Sequence, residues 1–197
     1  MNSRTAACAA IALAATTFLA MPACANTITY VVDPMHTYPS FEADHMGIST
    51  WRGKFDKSSG TIAMDRAAGT GTVNIAIETD SADFGLAEMN KAAKTDQLLD
   101  TKKYPQAIFK GKLEGFDKGG TPARAVGTLS LHGVKRPVTL EIRKFKCMPH
   151  PLYKREMCGA DAYTTINRED FGMTAGKEYG FNMNVDLRIQ VEAIAVE

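Results

Sequence analysis

Along most of the chain, apolar and polar residues alternate with a period of two, in segments separated by glycine, asparagine, aspartate or proline. Such alternation marks half-buried strands, whose successive side chains point to opposite faces. The C-terminal run shows it best: Phe181, Met183, Val185, Leu187, Ile189 and Val191 interleave with Asn182, Asn184, Asp186, Arg188 and Gln190. Val73, Ile75 and Ile77 share one face of segment 71–78, and Val138, Leu140 and Ile142 share one face of the segment after Pro137. Turn chemistry at residues 56–60, 117–120 and 132–133 reads as hairpin connections. The pattern predicts an all-β protein.

One stretch breaks the period. Residues 81–104 are rich in alanine, lysine and leucine and stop at Pro105, which predicts one or two short helices. Thr95 is the expected cap of a segment carrying Leu98 and Leu99, two leucines placed to cover one opening of the β structure.

Long alternating strands must protect their edges, and closure into a barrel does so completely. The inward positions suggest what the barrel contains. Phe41, Ala43 and His45 share a face, as do Trp51, Gly53 and Phe55, and then Ala107, Phe109, Gly111 and Leu113. Gly127 with Leu129 and Leu131, and Ala160 with Ala162, Thr164 and Ile166, repeat the mixture of large and very small residues. In a solid core the small positions leave costly voids. Eight strands give an interior that either just fills or accepts one slender ligand. The expectation is a ligand cavity; a fully packed interior is the alternative.

The N-terminus changes the compartment. Arg4 precedes an apolar run from Ala6 to Ala20, and Ala23-Cys24-Ala25 offers a small-x-small cleavage pattern, so residues 1–25 read as a secretory signal. A lipid anchor on Cys24 is disfavoured by Pro22. Removing 25 of the 197 residues leaves 172, read as one domain over 26–197. The whole chain holds 23 lysines and arginines against 22 acids, so loss of Arg4 balances the charge. That balance argues against nucleic acid and against electrostatic docking on anionic membranes. Of the four cysteines, Cys147 and Cys158 remain, and in an oxidising compartment a disulfide is the natural reading. A metal or redox site, with His150 in the intervening loop, is the competing one.

In order and spacing, several pieces resemble the YceI-like, polyisoprenoid-binding family. They are Tyr30-Val31-Val32-Asp33-Pro34-Met35-His36, then Phe41 to Gly47, Gly53-Lys54-Phe55, and Leu98-Leu99-Asp100 with Tyr104-Pro105 and Phe109. Gly127 to Val138 and Asn167-Arg168-Glu169-Asp170-Phe171-Gly172 complete the match, which covers about Tyr30 to Val191. Tyr38-Pro39 and the segment between the two cysteines depart from the family pattern.

The resemblance implies an extended eight-stranded antiparallel lipocalin-like barrel in the periplasm, with an apolar tunnel for an isoprenoid quinone or polyprenyl phosphate. The candidate lipid contacts are Phe41, His45, Met46, Trp51 and Phe55, then Ile75, Ile77, Phe109 and Leu129. Phe171, Met173, Phe181, Met183 and Val185 follow, with Leu98 and Leu99 as the cover. No cofactor beyond the bound lipid, no metal, no nucleic acid and no stable membrane insertion are expected, and homodimerisation is left open. Arg168 is a candidate grip on a polar head group. An enzyme acting on a lipid through His45 as general base is one rival, although the sequence holds no Gly-x-Ser-x-Gly or paired-carboxylate signature; a secreted stress or interaction protein with a packed barrel is the other.

Overall fold

A computed structural model describes residues 26–196, so the leader expected over 1–25 lies outside the described residues. The strands are β1 (Ile28–Val32), β2 (Tyr38–His45), β3 (Ser49–Phe55), β4 (Ser58–Asp65), β5 (Thr70–Glu78) and β6 (Ala82–Asp83). After helix α1 (Ala87–Ala93) come β7 (Gln106–Glu114), β8 (Arg124–Leu131), β9 (Val134–Pro149), β10 (Glu156–Asn167) and β11 (Asn184–Ala195).

These segments close into a ring of eight antiparallel strands. The C-terminal end of β11 pairs with β1, through Val32↔Ala193 and Tyr30↔Ala195, while its earlier half pairs with β2, from Val185↔Ala43 to Gln190↔Tyr38. On the other side β1 pairs with β4 and β2 with β3. The same step follows once more, because β4 pairs with β5 and β3 with β6. Thus β1–β2, β3–β4 and β5–β6 are each one long strand with an interruption, and the order around the barrel is an up-and-down meander.

Residues 56–60, expected to be a hairpin, are therefore a short break at 56–57 within one long strand, with 58–60 already in β4. Buried hydroxyls replace ladder bonds at these breaks. Thr37 Oγ1 donates to Glu192 O (3.2 Å) and accepts from Glu192 N (3.1 Å), and Ser58 Oγ donates to Thr37 O (3.3 Å). Thr79, in a 3-10 turn between β5 and β6, donates to Tyr104 O (2.7 Å). The other two predicted hairpins form as expected. His132 and Gly133 adopt φ of 51° and 76° between β8 and β9, the left-handed pair that a two-residue hairpin demands.

The β5–β7 ladder ends at Glu78↔Gln106, and above that level β6 leans only on β3. Residues 84–105 run past the gap. They contain one short helix, α1, within the expected one or two. Thr95 follows α1 and donates from Oγ1 to Ala92 O (2.7 Å), so it does not cap a helix through Leu98 and Leu99, which lie in consecutive turns. Those turns are tied by Leu98 N and Asp100 N to Thr95 O.

Candidate functional site

The barrel wall sorts its chemistry by face. Outward positions of β2, β3 and β11 carry charge: Glu42 accepts from Arg52 (2.9 Å) and from Arg188 (2.8 Å). The hydrogen bond from Arg52, joined by that from Arg188, outweighs burial and holds this carboxyl below its usual range. Inward positions are apolar. By register, Phe41 faces Gly53 and Leu187, and Ala43 faces Trp51 and Val185.

Inside, two regions are packed. At the base, where the described chain starts and ends, Tyr30, Val32, Met64, Leu113, Ala125, Cys158, Ala193 and Ala195 are buried. At the opposite end, which we call the mouth, the β10–β11 connection folds down as a lid. Phe171 and Met173 are buried there with Leu131, Ile166 and Met183. Asn167 Oδ1 accepts from Glu169 N to start the lid's first turn (2.9 Å), and His132 Nδ1 lies 3.0 Å from Phe171 O. Arg168 donates to Met173 O (3.0 Å) and Ala175 O (2.6 Å), and its burial lowers the pKa of the guanidinium. Arg168, which from sequence reads as a solvated turn residue with a head-group grip as the alternative, is thus bonded into the lid.

Between base and lid the inward side chains are only half-buried: Ile75, Leu140, Ile142, Leu187, Ile189 and Val191. On a closed barrel, an inward residue keeps accessible surface only where space remains inside. The middle is therefore the candidate lumen, along which Leu140, Ile142 and Leu187 also pack against the core cluster. Towards the mouth it is lined by rings. Phe41 meets Phe55 at 5.5 Å and Phe84 edge-on at 5.2 Å, while His45 stacks on Trp51 at 4.2 Å and meets Phe181 edge-on at 4.9 Å.

Of the residues picked from sequence, Phe41, His45, Trp51, Phe55, Ile75, Ile77, Phe181 and Val185 are half-buried along this stretch. Phe109 and Leu129 also point inward but are buried in the core cluster. Phe171, Met173 and Met183 fill the lid, so they pack the end of the barrel rather than line it. Met46 does not face inward: it sits in the β2–β3 turn at φ 57° and is 46% exposed. Leu99 packs against the core cluster and Leu98 is half-buried beside it in sequence.

Leu140, Ile142, Leu187, Ile189 and Val191 had been read as strand faces but not as lining, although their alternation carried the signal. Phe84 had no such signal, because it falls where the period is lost. One further expectation needs correcting. A Cβ on Gly53 would lie 2.4 Å from Phe41 Cζ, so this small inward position makes room for a ring rather than for a ligand.

His45 has rings for neighbours, and no hydrogen-bond partner for its imidazole is found among the described residues. Cys147 and Cys158 are joined in a disulfide, and His150 turns away from them, its Nδ1 accepting from Leu152 N and Tyr153 N at 3.1 Å.

Fold and lumen together define a small antiparallel β-barrel with an apolar interior and a charged outer wall. The chain belongs to the YceI-like domain family, whose model matches residues 30–193. A UPF0312 protein of Shewanella denitrificans is 32% identical over 183 residues, covering 89% of this chain and 92% of that protein. Among solved structures, Burkholderia cenocepacia BcnA superposes with a TM-score of 0.67 at 21% identity, over 82% of this chain and 98% of that one. A polyisoprenoid binding domain from Saccharophagus degradans, implicated in plant cell wall breakdown, gives 0.58 at 19% identity, over 85% and 98% of the two chains. At these identities the two structures establish the shared fold.

Proposed function

We propose that the barrel binds the tail of a long-chain isoprenoid lipid, of the isoprenoid quinone or polyprenyl phosphate class, and carries it through the periplasm without chemical change. The observation that carries this reading is the set of half-buried aliphatic side chains, Ile75, Leu140, Ile142, Leu187, Ile189 and Val191, on the inward face of the barrel wall. A branched apolar chain suits such a space. Each buried methylene-sized group contributes about 0.8 kcal/mol, so affinity accumulates along the tail with few polar contacts.

The Saccharophagus neighbour, a polyisoprenoid binding domain, supports the same ligand class. The periplasmic address rests on the leader pattern of residues 1–25 and on the Cys147–Cys158 disulfide. Binding without catalysis rests on the Trp51 and Phe181 rings that flank His45, whose imidazole makes no hydrogen bond to an acid or nucleophile among the described residues.

The test is mass analysis of the organic extract of protein purified from the periplasm without detergent. A polyprenyl species at near-equimolar ratio is the expected result. Repeated preparations that yield an empty barrel, or straight-chain lipid alone, overturn the proposal.

A further inference from the structure

The base of the barrel holds a chemical group that lipid binding does not use. Cys147 and Cys158 are direct cross-strand partners on β9 and β10, with Cα atoms 4.0 Å apart. The ladder continues beyond them through Met157↔Met148 and Glu156↔Pro149. Backbone pairing on both sides therefore fixes their proximity, and reducing the disulfide leaves two thiols facing each other. Cys158 is buried and Cys147 half-buried.

Glu156, two residues before Cys158, shares its face of β10. Glu156 Oε1 lies 4.0 Å from Cys158 Sγ, and a carboxylate oxygen and the two sulfurs all fall within 4.8 Å of one another. The carboxylate is held from behind. The hydroxyl of Tyr30, on β1, donates to Glu156 Oε1, and Arg66 Nη1 lies 3.9 Å from Oε2.

We propose that the reduced protein binds one divalent cation of the zinc type through Cys147, Cys158 and Glu156. Zinc takes thiolate sulfur at about 2.3 Å and carboxylate oxygen at about 2.0–2.2 Å, and the cluster already lies within that compass once the sulfurs separate. The charges also suit. Two thiolates and a carboxylate exceed a divalent cation by one negative charge, which the neighbouring Arg66 offsets. Tyr30 orients the carboxylate as an outer-shell partner, and three protein ligands leave a fourth position for water or another small donor.

Metal and disulfide exclude each other, because the bonded sulfurs are not thiolates. The switch needs a dithiol reductant. One of its thiolates attacks the half-buried Cys147 sulfur to form a mixed disulfide and frees the Cys158 thiolate. Its second thiolate then closes on the mixed disulfide and frees Cys147, so the reductant loses two electrons and two protons and ends as its own disulfide. Metal binding releases the two thiol protons.

The experiment is a Co2+ titration of protein reduced with a phosphine and then freed of it under anaerobic conditions, with circular dichroism to follow the barrel. One equivalent should bind with sulfur-to-cobalt charge-transfer absorption, and the oxidised protein should show none. Cys147→Ser with Cys158→Ser should abolish the band, Glu156→Gln should weaken binding at least tenfold, and Tyr30→Phe should weaken it within the roughly 10–100-fold range of outer-shell partners. A reduced, folded protein without Co2+ uptake, unchanged affinity in Glu156→Gln, or collapse of the barrel on reduction would each overturn the proposal. None of these outcomes depends on what occupies the lumen.

Discussion

His45 and Trp51 lie face to face across the β2–β3 hairpin, ring centroids 4.2 Å apart and planes 12° from parallel, with the edge of Phe181 closing the third side. This stack stands at the mouth of the lumen and contains the single tryptophan of the chain. A tail passing it displaces water from the indole. Saturation with a polyprenol should therefore shift Trp51 emission to the blue and reduce its quenching by acrylamide. Unchanged emission, with binding verified by mass analysis, would show that the ligand does not pass this stack.

Added bulk should be cheap in the lumen and costly at the base. Ile189→Phe puts new atoms into free space and should lower the unfolding free energy by less than about 1 kcal/mol, while reducing lipid uptake. Ala193→Leu, at a position 1% exposed, should cost about 1–3 kcal/mol. Urea denaturation of the two variants compares them directly. Equal losses would mean that the interior is solid throughout.

The disulfide closes a loop of sequence separation 11. On the chain-entropy account, Cys147→Ser with Cys158→Ser should lower stability by about 2–3 kcal/mol at an unchanged fold. Denaturant midpoints together with far-ultraviolet circular dichroism provide the measurement.

On the outer wall His36 Nδ1 lies 2.7 Å from Asp33 Oδ2, and that hydrogen bond raises the imidazole above its usual 6.5. At Asp33 burial pushes the carboxyl up, but hydrogen bonds from His36 and Met35 N outweigh it and leave the group below its usual 3.8. The His36 contribution is complete below pH 6.5 and fades as pH rises through the raised value; the Asp33 contribution is complete above 3.8 and fades on acidification. His36→Gln should therefore lower Tm more at pH 5.5 than at pH 8.5. A pH-independent difference would remove the pair from the account.

Local pattern revealed the strands and their inward faces, because a period of two survives in β5, β9 and β11 whatever the partners. It also revealed the His132-Gly133 hairpin, whose backbone demands show in two residues. It could not separate a hairpin from a strand break at 56–60, since both use the same small polar residues. Only the nonlocal fact that β3 and β4 both continue along β1–β2 decides between them. Gly53 misled for a related reason. Small size announces room, but which neighbour takes that room depends on Phe41, twelve residues away in sequence and adjacent across the sheet.

Where β6 parts from β7, the cylinder has a slit along its side, covered by residues 84–105 packed over it rather than stitched into the sheet. The cover is nevertheless tied to the wall at its far end, by Thr79 N to Pro105 O (2.9 Å) and Thr79 Oγ1 to Tyr104 O (2.7 Å), so peeling it back from that end would break both bonds.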